Sequence, residues 1–357
     1  MTSSNPSHPS PQLDASGQAV LARHLDWWQL KGPLYAEVPH TPLGDLWLPL
    51  VDGTIATRDM ELTPDMLDLD RLAGPALEPG PLEFYGDHLR VEAPYVRVPW
   101  VEAILGCPIH ATIQGGSMRP RAFVHRWDDW AAALAAATPW RQDWFDALMQ
   151  LTDLLAARSG GRYAVAQTLM RGPSDLAEAV LGPELMCLSL YDHPSELTSF
   201  LETVTDVFLR ILRGQLERIP PVGQGMVNPF GVWSPGTVVR TQCDASSFLS
   251  PRQYAEWFLP YDARICEAVD YSLIHLHSGS LHTVDALLQV ERPHAIQVTI
   301  DPEPSGPPVI DLIPTFAEIL EVKPLIIDGP LSPAEVQALQ AQLPAEGRCL
   351  SVRMGKW

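Results

Sequence analysis

Short apolar runs alternate with longer amphipathic stretches from about residue 91 to the end of the chain. The runs Tyr95–Val98, Ile109–Gln114, Tyr163–Leu169, Val238–Asp244, Leu273–His277, Ala295–Ile300, Pro324–Ile327 and Cys349–Val352 read as strands. Apolar residues at helical spacing predict helices over 127–136, 140–158, 174–181, 194–218, 251–269, 280–290, 312–321 and 332–343. Strands alternating with helices point to a parallel sheet joined by crossovers. The number of such units favours an α/β fold of the (β/α)8 TIM-barrel kind over an open doubly wound sheet. No G-x-G-x-x-G follows an early strand and no G-x-x-x-x-G-K-[ST] occurs, which removes the argument for a nucleotide-binding fold.

The first 90 residues lack this grammar. Residues 1–18 are polar, with no apolar core of a secretory signal, and read as a disordered tail. Residues 19–31 carry a helical pattern that stops at Gly32-Pro33, and 33–90, rich in Pro, Gly and Asp, read as an irregular segment capping one end of the barrel. Residues 19–357 are therefore expected to form a single barrel domain.

Composition narrows the setting. A hydrophobic content of 46% with 19% charged residues describes a globular chain with a substantial core. A formal charge of −19 repels polyanions, so neither nucleic acid nor an anionic membrane surface is an expected partner. The five cysteines (Cys107, Cys187, Cys243, Cys266, Cys349) are scattered without a C-x-x-C pair, which points to a reducing compartment, and no run is long enough to span a bilayer. The expected location is the cytoplasm.

In barrels of this kind active sites form at the carboxyl ends of the strands. Strand 163–169, with Gln167 near its end, runs into Arg171-Gly172-Pro173, and 238–244 ends at Asp244. Strand 273–277 delivers His275 and His277, while the next two end at Asp301 and Asp328. Residues two apart on a strand share a face, so the His-x-His pair projects together, a geometry suited to a metal ion or an anionic substrate. By the same alternation Arg240, Gln242 and Asp244 share a face, and burial there would require them to be paired or ligand-bound. These positions give Asp244, His275 and His277 as candidate catalytic residues, with Gln167, Arg171, Arg240, Gln242 and Asp301 as candidate substrate contacts. The stretch 114–121, with Arg119 and Arg121, reads either as a loop over the barrel mouth or as ordinary surface. Trp27, Trp28, Trp47, Trp100 and Trp233 are core residues or the walls of a large cavity.

Several segments resemble the uroporphyrinogen decarboxylase superfamily. RTQCDASSFLSPRQYAEWFLPYDARI (240–265) is similar to its strand, Asp-containing loop and Leu-Ser-Pro helix start. AVAQTLMRGPSDLAEAVLG (164–182) is similar to its strand, Gly-Pro turn and helix, and VPWVEAILGCPI (98–109) to its early Pro-x-x-x-Ala-x-x-Gly element. LIHLHSGSLH (273–282) stands where the superfamily has its His-containing strand end. The resemblance covers roughly residues 95–350 and implies a barrel enzyme.

Two characterised branches frame the expected activity. The decarboxylase branch has an arginine-rich N-terminal motif with no counterpart in LDWWQLKGPLYAEVPH (25–40), and an Asp that EAPYVRV (92–98) lacks. The methylcobalamin:coenzyme M methyltransferase branch binds zinc through His-x-Cys on this strand and a later Cys. Here His275 matches the His, His277 stands where that Cys would be, and Cys349 begins the last strand instead of following it. The resemblance thus implies a corrinoid-linked or related methyltransferase. It implies zinc on His275 and His277, with a third ligand among Asp244, Asp301, Asp328 and Cys243. It further implies a corrinoid, carried by a partner protein, as methyl carrier, together with a small-molecule substrate; a homodimer is the expected assembly. The alternatives are a cofactor-independent decarboxylase of a tetrapyrrole and a non-catalytic barrel that binds a corrinoid or tetrapyrrole.

Overall fold

A computed structural model describes residues 10–39, 48–94, 97–112, 118–120 and 140–354. Six strands form one parallel sheet: β1 (Leu34–Pro39), β2 (Val238–Gln242), β3 (Tyr271–His277), β4 (Ala295–Thr299), β5 (Leu325–Gly329) and β6 (Arg348–Met354). Their spatial order is β1-β6-β5-β4-β3-β2. Strands β2 and β5 are buried along their whole length, the pattern expected of parallel strands covered on both faces.

Helices connect the strands and are sharply begun. Ser250 and Gln253 form a capping box ahead of Pro251–Trp257, and Ser332 and Glu335 form another ahead of Pro333–Gln342. Each box satisfies backbone N–H groups that have no partner inside the helix, and proline at the first position loses no bond there. The expected helix over 251–269 is two helices, Pro251–Trp257 and Leu259–Glu267, because Pro260 cannot continue the hydrogen-bond ladder. A further helix, Pro183–Asp192, starts directly after Gly182, whose φ of 78° ends the helix before it.

The backbone pairing among the described residues establishes a mixed α/β fold around a six-stranded parallel sheet and does not itself show a closed ring of eight strands. Val91–Glu92 and Ala164–Val165 form a separate parallel pair. That pair is tied to β2 by Gly172 N donating to the Gln242 carbonyl (3.0 Å) and by Gln167 Nε2 donating to the Arg240 carbonyl (2.9 Å).

Other sequence expectations shift. The segment expected to be irregular supplies β1, and the first helix, Ala15–Trp28, begins before residue 19. The strand at Ile109–Ala111 is antiparallel, between Glu61–Leu62 and Met118–Pro120. Only Leu105–Pro108 separates it from the helix Trp100–Ile104, too little chain for a crossover to a parallel neighbour. No strand forms at residues 97–98, while residues 95–96, helix 127–136, Trp47 and most of loop 114–121 lie outside the described residues.

The helix Ala15–Trp28 closes one end of the sheet. Trp27 and Trp28 pack against Leu34, Val238, Leu273, Ala295, Ile326 and Cys349, all at or near the starts of their strands. The Trp28 indole donates to the Trp233 carbonyl at 2.9 Å and the Trp233 indole to the Val222 carbonyl at 2.9 Å. These tryptophans therefore seal the amino end of the sheet, and the opposite, carboxyl end carries the polar side chains. No helix among the described residues is long and apolar enough to cross a membrane.

Candidate metal centre at the carboxyl ends of the strands

His275 and His277 leave β3 on the same side, as strand alternation requires, with ring centroids 4.8 Å apart at 81°. Asp244 opens a short 3-10 turn, Asp244–Phe248, directly after β2. Its Oδ1 lies 3.8 Å from His275 Nε2 and its Oδ2 3.9 Å from His277 Nε2. One ligand atom from each of the three residues lies within 4.8 Å of the other two. Asp244 Oδ1 is buried and has no hydrogen-bond partner.

The far nitrogens of both rings are occupied. In the register of β3 on β4, His275 sits opposite Gln297, and His275 Nδ1 bonds to Gln297 Oε1. The Gln297 amide donates its NH2 to Thr299 Oγ1 at 3.0 Å, which fixes its oxygen toward the ring. His277 Nδ1 bonds to Asp301 Oδ1 at 2.7 Å. Asp301 is itself anchored by Ser278 Oγ (3.3 Å) and Gly279 N (3.2 Å) on Oδ2. Each imidazole thus donates from Nδ1, and each Nε2 faces Asp244. Burial, reinforced by the Arg240 charge, holds the pKa of His275 well below its ordinary value, so that ring stays neutral.

Asp244 is approached from below by the Gln242 amide and, behind it, the Arg240 guanidinium. The Arg240 guanidinium, buried and lowered by that burial to a pKa of about 10, bonds to Gln242 Oε1. Gln242 Nε2 then donates to Asp244 Oδ2 (2.7 Å) and Asp175 Oδ2 (2.9 Å). Asp175 lies in the helix Pro173–Leu181 and also accepts from Ala245 N at 2.7 Å. Burial, followed by the neighbouring Asp244 charge, raises the Asp175 carboxyl above its ordinary range.

The structure brings together Asp244, His275 and His277, with Asp301, Gln242 and Arg240 around them. Asp301 stands behind His277 and not among the grouped ligand atoms. Asp328 is buried in a bond to Ser351 Oγ (2.9 Å) and an ion pair with Arg353. The Cys243 thiol is buried, which pushes its pKa well above the usual range, and its sulfur is not among the grouped ligand atoms. Arg171 pairs with buried Glu102 and approaches Glu178 at 4.0 Å, and Gln167 Nε2 bonds to the Arg240 carbonyl, while Arg171 Nη2 and Gln167 Oε1 are buried without a hydrogen-bond partner. Cys349 contacts His88 Nε2 at 3.2 Å, among the strand starts.

Three neighbours escaped sequence reasoning. Gln297 carried a signal, as a polar side chain inside the buried strand AIQVT. Asp175 resembled any acidic residue in a first helical turn, and Phe230, stacked on His275 at 6.4 Å and 21°, comes from a loop distant in sequence. A cavity of about 300 Å³ opens beside Asp244, His277 and Asp301, bounded also by Ser247, Gly279 and Ser280. A second, about 470 Å³, lies beyond Phe230 toward Tyr85, Glu92, Asp328 and Arg353.

No protein-family model and no curated protein matches this sequence. Among solved structures the chain is similar to a methyltransferase from Methanosarcina mazei, with a TM-score of 0.51 at 12% identity over 93% of this chain and 92% of that one. A B12-independent methionine synthase from a Shewanella species, in complex with selenomethionine, matches over 58% of this chain and 59% of its own at 10% identity. Its TM-score is 0.37. The first likeness concerns the fold alone.

Proposed function

We propose that the protein is a barrel enzyme of methyl transfer, working through a divalent-metal site made by Asp244, His275 and His277. The observation that carries this reading is the orientation of the two imidazoles. Both Nδ1 atoms are engaged by neighbouring side chains, and both Nε2 atoms converge on one carboxylate. Two neutral imidazoles and a carboxylate are the ligand set of catalytic zinc sites that keep an open position. The partnerless Asp244 Oδ1 fits the same reading. The three ligand atoms, within 4.8 Å of one another, would draw together to reach bonds of about 2.0–2.2 Å. When bound, zinc supplies Lewis acidity that lowers the pKa of a thiol or hydroxyl in the open position.

The remaining steps belong to the chain's own residues. Gln297 and Asp301 fix which nitrogen of each ring faces the centre. The Arg240 charge opposes protonation of His275, and through Gln242 it orients Asp244. The cavity beside His277 and Asp301 admits a small acceptor, whose lone pair attacks the methyl carbon as the donor's bond to it breaks.

The fold likeness to a methyltransferase supports the reaction class. The finer features belong to the same reading. The Val91–Glu92 and Ala164–Val165 pair completes a barrel, residues 19–357 act as one domain, and a methylated corrinoid on a partner protein is the donor. A cytoplasmic homodimer is the working form.

Elemental analysis of purified protein tests the centre: wild type should hold about one zinc per chain, and His275→Ala and His277→Ala should lose it. A metal-free protein that demethylates methylcobalamin with small thiols as fast as the metal-loaded one overturns the reading.

A further inference from the structure

Asp175 is fully buried, yet its hydrogen-bond partners are all neutral: Gln242 Nε2 at 2.9 Å, Ala245 N at 2.7 Å and Ser174 Oγ at 3.4 Å. No cation bonds to it, though the Arg171 charge acts on it through space; a carboxylate so placed is costly to bury, and one that served only to begin a helix could do so at the surface. What it holds is specific. Gln242 is two residues before Asp244 and Ala245 is one residue after, so a single carboxylate grips the chain on both sides of Asp244. The Gln242 amide is shared, its Nε2 reaching Asp175 Oδ2 and Asp244 Oδ2 (2.7 Å) together.

We propose that Asp175 is a positioning residue for the metal centre, fixing the Asp244 carboxylate on the two imidazole Nε2 atoms through Gln242 and the Ala245 amide. The inference rests on the reading of Asp244, His275 and His277 as metal ligands. It concerns a residue that touches none of them and comes from a different segment of the chain. Aspartate is required because both donors need acceptors. An asparagine of the same shape offers one oxygen and must turn its NH2 toward the other donor. Without the clamp Asp244 leaves its place opposite the imidazoles, and the three ligand atoms no longer converge.

The test is zinc affinity, measured on the full chain by competition with a chromophoric chelator, together with the visible spectrum of the cobalt-loaded protein. Asp175→Asn should weaken zinc binding by about 10- to 100-fold and shift the cobalt bands. A merely structural role would lower the melting temperature but leave both readouts in place. Asp175→Ser, which keeps one acceptor on a shorter side chain, should weaken binding as well and decides the matter where Asp175→Asn does not fold. Affinities within twofold of wild type in the folded variants overturn the positioning role alone. A wild-type protein that takes up no metal overturns the metal reading and this inference with it.

Discussion

His277 and His275 are held by different chemistry, and the difference sets what each neighbour is worth. The acceptor behind His277 is the Asp301 carboxylate, and the acceptor behind His275 is the Gln297 amide oxygen. Asp301→Asn keeps an acceptor but loses the charge that raises the ligand's donor strength. It should weaken metal binding by about 10-fold or more, read in a chelator competition. Gln297→Leu leaves the His275 Nδ1–H buried with no acceptor. It should lower stability by about 1–3 kcal/mol in chemical denaturation of the metal-free protein. An unchanged midpoint would show that the ring reorients and that its tautomer is not fixed by β4.

The helix Pro173–Leu181 meets the end of β2 at Gly172. A Cβ there would stand 2.3 Å from the Gln242 carbonyl oxygen and 2.8 Å from both Asp262 Oδ1 and Thr241 Oγ1. Gly172→Ala must push helix and strand apart, at a cost of about 1–3 kcal/mol in denaturation, and should loosen the clamp on Asp244. Elements of this kind differ in how far the sequence reveals them. Strands β2 to β5 are legible because each has an apolar stretch buried on both faces, which polar residues such as Arg240, His275 and Gln297 punctuate without ending. Strand β1, LYAEVP, alternates buried and open positions and carries a glutamate, so it read as loop. The His-x-His pair and Asp244 were legible because strand alternation puts them on a shared face. Which aspartate faces Nε2 and which Nδ1 depends on turn geometry that spacing does not encode.

Buried titratable groups give the whole molecule a defined response to pH. Burial pushes His24 and His294 down to a pKa of about 4 and His88 to about 3, from an ordinary 6.5. The unfolded chain binds protons at these positions below 6.5 and the folded one does not, so stability is lost as pH falls from about 6.5 toward 4. Asp262 runs the other way: burial raises it to about 8 from 3.8, so its contribution is complete below 3.8 and is lost as pH rises through 8. The melting temperature should therefore fall on both sides of mildly acidic to neutral pH. Asp262→Asn should flatten the decline between pH 6.5 and 8, and parallel calorimetric curves for variant and wild type would refute this assignment. The pairing of β3 with β4 carries a last consequence. Gln297 meets His275 because those residues are register partners, and a slip of one residue would present the neighbouring Ile296 or Val298 instead. A molecule whose strands zipped together one step out of phase would keep its sheet but lose its grip on the ion. Zinc retained after refolding then counts the correctly threaded molecules, and the centre proof-reads the sheet that builds it.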